Sequence, residues 1–271
     1  MILTPLLSIP SPSDPLIFQI GIFKLRWYGT LIAIGILLAG WLAQRELDRR
    51  GYPPGRAYTI ATWCIPAGVI GARLYHVATD WGRFSGHLEK IPLLQQGGLG
   101  MPGVIVGGAI GAAIGARRAK VPVLEAFDVV APGLILAQAI GRWGNWFNQE
   151  LFGGPTDLPW GLEIDRQHRP AQYIDQATFH PTFLYESLWN LLVFVILLQL
   201  NKRLWLRAPA GTIFAAYLML YSAGRVFAEN LRVDPAQMLF GTRFNLVLFI
   251  VVFFAAGAWF VVNLTRTRAK L

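Results

Sequence analysis

The chain has 271 residues, of which 54% are hydrophobic and only 14% charged, with a formal net charge of +9. Soluble domains carry about 25% charged residues, so the composition describes a helical membrane protein and excludes intrinsic disorder; with Cys64 as the sole cysteine, it excludes a disulfide scaffold too. Nucleic acid is excluded as a partner because the cations fall between apolar runs, where they orient a chain in a bilayer.

The first 23 residues have no cation and include Pro5, Pro10, Pro12 and Pro15, which argues against a cleaved signal peptide with its basic leader. This segment is expected at the external interface. Apolar runs then predict about seven transmembrane helices, near 27–45, 57–77, 99–116, 123–146, 183–200, 210–229 and 245–264. The connections after the first, third and fifth spans, with the C-terminal tail, hold 13 of the 24 cations, from Arg45 and Arg49 to Arg268 and Lys270, against 8 on the other side. The positive-inside rule therefore predicts an external N-terminus and a cytoplasmic C-terminus. Residues 147–182, with Pro155, Pro159, Pro170 and Trp160, are expected to form a small external cap within a single transmembrane domain spanning 1–271. In the third span, Gly103, Gly107, Gly111 and Gly115 put a smooth groove on one helix face, the pattern of close helix packing.

An ionisable side chain at membrane depth costs about 2.5 to 3.5 kcal/mol, so each one needs a partner, an aqueous cavity or a charged ligand. Arg73, Arg142 and Arg225 all fall near the external ends of their predicted helices. The fourth span ends in Gly141-Arg142-Trp143-Gly144-Asn145-Trp146-Phe147-Asn148-Gln149-Glu150, far richer in hydrogen-bonding groups than an interfacial anchor requires. Tyr221, Arg225, Glu229 and Arg232 follow at helical spacing on one face, with Asp234 just beyond. Glu229 reads either as a site residue or as half of an ion pair with Arg225 or Arg142. Three guanidinium groups beside two acids leave an excess of cation, and their planar forks suit phosphate oxygens, so a phospholipid headgroup is the expected ligand. His180-Pro181-Thr182-Phe183-Leu184-Tyr185-Glu186 reads equally as a helix cap and as part of a site.

The stretch from Gly141 to Glu150 resembles the Gly-Arg-x-Gly-Asn-x-x-Asn-x-Glu signature of the phosphatidylglycerol:prolipoprotein diacylglyceryl transferases of the bacterial inner membrane. Trp27-Tyr28-Gly29, Gly71-Ala72-Arg73-Leu74, His180 to Glu186, and Tyr221 through Glu229 to Arg232 and Asp234 extend the resemblance over nearly the whole chain. It implies transfer of the diacylglyceryl group of phosphatidylglycerol to the lipobox cysteine of preprolipoproteins, giving a thioether and glycerol 1-phosphate. Arg142 and Arg225 match the family's essential arginines. Tyr28, Asn145, Glu150, Gly153, Tyr221, Glu229 and Arg232 fall on further positions of functional or structural weight, and the expected division makes Arg142, Arg225 and Glu150 catalytic and the other six substrate-binding. Many members carry a His-Gly-Gly in the third span that has been proposed as a base; here Pro102 stands near that histidine's place.

Chemically, the expected reaction needs charge stabilised on phosphate oxygens and a more nucleophilic thiol. Arginines meet both needs, because a cysteine pKa of about 8.5 falls beside cations. Glu150 or Glu229 would either take the thiol proton or position an arginine, two options the sequence leaves open, with His76 and His180 in reserve as the base. No metal or cofactor is expected, since no clustered ligand set appears. Two other readings compete: a lipid transporter or flippase, which moves lipid without consuming it, and a catalytically silent relative, which binds lipid without forming a thioether.

Overall fold

The structure, a computed structural model, describes residues 8–12, 14–21, 23–93 and 97–268. Pro5 and Lys270 lie outside the described residues. A hairpin of β1 (Leu16–Ile20) and β2 (Phe23–Arg26) leads into helix α1 (Trp27–Arg49). Next come α2 (Arg56–Thr79), the single turn α3 (Trp81–Phe84), α4 (Met101–Arg118) and α5 (Val123–Asn148). The antiparallel strands β3 (Leu162–Glu163) and β4 (Thr178–Phe179) precede α6 (Thr182–Leu204) and α7 (Thr212–Leu231). A second hairpin, β5 (Met238–Leu239) and β6 (Thr242–Arg243), leads into α8 (Phe244–Arg268).

Local sequence explains the helix starts. Gly55 and Gly211, at φ 88° and 93°, adopt the left-handed conformation that glycine tolerates, just before α2 and α7. Pro181 precedes α6, and Pro102 occupies the first turn of α4, where its missing N–H removes no helical bond.

The long helices occupy the seven predicted positions, and four of them, α1, α5, α6 and α8, are long and apolar enough to cross a membrane. The other three are α2, with Arg73, α4, with Arg117 and Arg118 in its last turn, and α7, with Arg225 and Glu229. Large apolar side chains such as Leu37, Ile70, Ile105 and Phe254 are exposed, while Gln44, Arg73, Asn145, Glu186, Arg225 and Glu229 are buried. That inversion of the soluble pattern suits a hydrocarbon surround.

The chain divides into two compact units, residues 40–130 and residues 1–39 with 131–271. In the first, α2 and α4 pack through glycine. A Cβ at Gly71 would strike the Gly103 carbonyl, one at Gly107 the Ala67 carbonyl, one at Gly111 the Trp63 carbonyl, and one at Gly115 would lie 2.8 Å from Ile60 Cα. The glycine repeat is thus a helix contact, which lets the backbones approach closely. Arg73, 6% exposed, donates to the carbonyls of Lys90 (2.6 Å), Ile91 (2.7 Å), Leu93 (3.3 Å), Gly97 (2.7 Å) and Gly98 (3.2 Å). All five donors of its guanidinium are thereby used, and the loop between α3 and α4 is tied to α2. Outside the spans, partial burial and a 2.9 Å bond to Glu125 Oε2 push the Tyr52 hydroxyl above its ordinary pKa.

In the second unit, Ile135, Val193, Leu197, Ile213 and Tyr217 form the buried core of α5, α6 and α7. A smaller cluster of Phe152, Leu162, Ile164, Phe179 and Phe183 underlies residues 147–182 and takes in Ile9. Ile9 N donates to Gly161 O and Glu163 N to Ile9 O, both at 2.9 Å, so the N-terminal segment extends the β3–β4 pair.

Candidate functional site

Three helix ends build the site. Arg142 lies in the last turns of α5, Glu186 in the second turn of α6, and Arg225 with Glu229 in the last turns of α7. A single carboxylate oxygen joins them: Glu186 Oε2 accepts from Arg225 at 2.6 Å and pairs with Arg142 at 3.3 Å. Arg225 also donates to Glu229 Oε2 at 2.9 Å, four residues along α7, and lies over the Phe249 ring at 5.4 Å. Glu186 is therefore no helix cap. It sits too far into α6 to reach the first amides, and its side chain crosses to the neighbouring helices instead.

Glu229 has no side-chain exposure, and both its oxygens are engaged: Oε1 accepts from Arg243 at 2.9 Å and from Asn245 at 3.4 Å, while Oε2 faces Arg225. Of the two ion pairs open to it from sequence, the one with Arg225 forms, and Arg142 pairs with Glu186. Arg232 is held by Asp234 through bonds of 2.7 and 3.1 Å and lies 3.9 Å from Glu229. Arg243 closes the set, reaching Glu229, Asp234 and the carbonyls of Arg232 and Asp234.

Among the described residues, the ion pairs of this cluster join four arginines, Arg142, Arg225, Arg232 and Arg243, to three acids, Glu186, Glu229 and Asp234, with Glu150 reached only through Asn145. Neutralisation is also uneven. Arg225 has two close carboxylates and 8% side-chain exposure, whereas Arg142 shares an oxygen already taken by Arg225 and is 17% exposed. Its other contact is a long one, 3.4 Å to Asn145 Oδ1. Arg142 is thus the guanidinium with donors to spare for an incoming anion.

Asn145 connects that arginine to Glu150, donating to Oε1 at 2.8 Å, and Asn148 donates to the same oxygen at 3.2 Å. Glu150 is exposed. Tyr28 lies against Gly144, where a Cβ would overlap its ring, and it feels the charges of Glu150 and Arg142. Gly153 is sandwiched: its N–H donates to His180 O at 2.9 Å, a backbone bridge joins it to Arg232, and a Cβ would come within 2.7 Å of His180 Cβ. Tyr221 stacks on Tyr217, ring centroids 5.8 Å apart, and meets the edge of Phe249.

All nine sequence-selected residues thus fall in one unit. Arg243 was not among them, and Glu186 stood only in the patch read equally as cap and as site; both complete the cluster. His180 sits beside Tyr185, 3.4 Å from its hydroxyl, and His76 lies in the other unit against Gly98.

Comparison with known proteins agrees with the motif. The sequence profile described as prolipoprotein diacylglyceryl transferase matches residues 15–262. A relative in Streptomyces coelicolor, named phosphatidylglycerol--prolipoprotein diacylglyceryl transferase 2, is 47% identical over 95% of this chain and 81% of its own length. Proteins named phosphatidylglycerol--prolipoprotein diacylglyceryl transferase in Thermosynechococcus vestitus and a Nostoc species are 43% and 42% identical, over 89% and 86% of this chain and 89% and 84% of theirs.

Proposed function

The chain belongs to the prolipoprotein diacylglyceryl transferase family, and from that premise we propose that it transfers the diacylglyceryl group of phosphatidylglycerol to the lipobox cysteine of preprolipoproteins. It is a membrane-bound transferase that opens the maturation of bacterial lipoproteins. We place it in the inner membrane with seven spans, the N-terminus and the 147–182 cap external and the C-terminus cytoplasmic.

Uneven neutralisation of the two arginines carries the assignment of roles. Arg142, with donors to spare, takes the phosphate of the incoming lipid; Arg225, fixed by Glu186 and Glu229, faces the charge that builds on the leaving oxygen. Tyr28 and Asn145 line the approach to the headgroup, and Tyr221 lies beside Arg225. Gly153, Arg232 and Glu229 act through others: they hold the strap after α5 and the end of α7 in place.

The substrate thiol loses its proton to Glu150, and its sulfur attacks the glyceryl carbon attached to phosphate. The carbon–oxygen bond breaks, its electron pair leaves with the phosphate, and the products are a thioether and glycerol 1-phosphate. Glu150 suits the proton better than Glu229 does. Among the described residues its side-chain hydrogen bonds come from neutral amides, and it is exposed, while Glu229 is enclosed by arginines on both oxygens. The reaction then needs no histidine at Pro102, which is occupied in starting α4.

Release of glycerol 1-phosphate from phosphatidylglycerol should depend on a lipobox peptide with a free thiol. Movement of labelled lipid across vesicles without its consumption would instead support the flippase.

A further inference from the structure

A layer of buried, unpartnered polar groups lies one helical turn inward from the arginine pair. Asn190 is one turn along α6 from Glu186, Ser222 one turn back along α7 from Arg225, and Gln138 one turn back along α5 from Arg142. Asn190 and Ser222 are 3% and 0% exposed. Among the described residues, Asn190 Nδ2, Ser222 Oγ and Gln138 Oε1 are buried without a hydrogen-bond partner. The register of α6 on α7 is fixed next door, where Trp189 Nε1 donates to Leu220 O at 2.9 Å and the indole lies against Gly224. Asn190 and Ser222 therefore stand at the same depth.

Orphaned groups at this depth are costly, and a stable fold keeps them where something else satisfies them. Their chemistry narrows what that is. Asn190 Nδ2 only donates, and Ser222 Oγ can donate. Gln138 Nε2 contacts the Tyr217 hydroxyl at 3.0 Å, but a hydroxyl also donates, so turning the amide over keeps that bond and frees a donor. The three orphaned positions can thus all present donors to a ligand that offers acceptors.

We infer that Asn190, Ser222 and Gln138 form a subsite for the ester carbonyls of the diacylglyceryl group. The inference rests on the proposed placement of the lipid phosphate at Arg142 and Arg225. With the headgroup toward the helix ends, the acyl side of the glyceryl unit points inward. Its ester oxygens, a few bonds from phosphate, then reach the layer about 5.4 Å, one turn, further in. Fatty-ester carbonyls accept and cannot donate, matching the layer, and the subsite would align the reacting glyceryl carbon between thiol and phosphate.

The test compares diester phosphatidylglycerol with its diether analogue, which keeps phosphate and chains but lacks both carbonyls. Binding is read by native mass spectrometry and transfer by thioether formation on a lipobox peptide. The full-length protein should favour the diester about tenfold, as a pair of hydrogen bonds allows. Ser222→Ala and Asn190→Leu should each reduce that preference about threefold, and Ser222→Ala should raise the melting temperature of the lipid-free protein by removing an orphaned hydroxyl. Equal diester and diether binding by the unaltered protein, or an unchanged ratio in both variants, would overturn the subsite and leave an internal water as the occupant. Because binding is read separately, a diester preference that depends on both residues but comes without transfer upholds the subsite and removes the transferase reading instead.

Discussion

At the scale of single residues, the site distinguishes an arginine that is used up from one that is not. Arg225 is ion-paired twice, whereas Arg142 shares one oxygen at 3.3 Å. Arg142→Ala should therefore lower kcat/KM about 100- to 1000-fold, the range seen when a preorganised donor to developing charge is removed, while the protein still inserts and folds. Glu150→Gln should remove the proton acceptor yet keep the amide bonds from Asn145 and Asn148. Transfer should fall at least tenfold near neutral pH and recover when the peptide thiol is ionised at higher pH; a pH-independent loss would mark Glu150 as positioning alone. Arg142, Asn145, Glu150, Arg225 and Glu229 were legible in the sequence because they sit in dense polar runs where apolar residues are expected. Glu186 was legible only as part of a patch that read equally as cap and as site, and Arg243 was not legible at all. Each is a lone charge beside a helix start, and their partners lie 39 and 14 residues away, at Arg225 and Glu229, so only folding reveals the pairing.

At the scale of elements, positions were legible and contacts less so. Hydropathy located the seven long helices, of which four are long and apolar enough to cross a membrane. The β1–β2 hairpin escaped because Leu16-Ile17-Phe18-Gln19-Ile20 is too short and too uniformly apolar to show alternation. The glycine repeat of α4 was legible as a packing face, and its partners prove to be Gly71, Ala67 and Ile60 of α2. Gly107→Val would drive a branched side chain into the Ala67 carbonyl, and should destabilise the protein by about 1 to 3 kcal/mol, read as a lowered melting temperature in detergent. Arg73→Met would remove one donor from each of five carbonyls between Lys90 and Gly98, of which that of Lys90 keeps a bond from Leu93 N. Protease sensitivity in the loop between α3 and α4 should rise, and stability should fall by about 3 kcal/mol.

At the scale of the whole molecule, large apolar side chains such as Leu37, Ile70 and Phe254 are exposed while Glu186, Arg225 and Glu229 are buried, and that inversion ties the fold to the chemistry. Both substrates of the proposed reaction are amphiphiles, and in the proposed orientation the cluster at the helix ends would meet a headgroup at its natural depth in the bilayer. The proposed orientation puts Lys202 and Asp157 on opposite faces of the membrane. In a Cys64→Ser background, Asp157→Cys in intact cells should react with an impermeant maleimide and Lys202→Cys should not; the reverse pattern would invert the topology. Central to the account is thioether formation, measured by incubating purified protein with phosphatidylglycerol and a lipobox peptide and weighing the peptide by mass spectrometry. The account predicts a diacylglyceryl adduct on the cysteine that is absent from a cysteine-to-serine peptide and lost with Arg142→Ala. Folded, lipid-binding protein that leaves the cysteine peptide unmodified would contradict it.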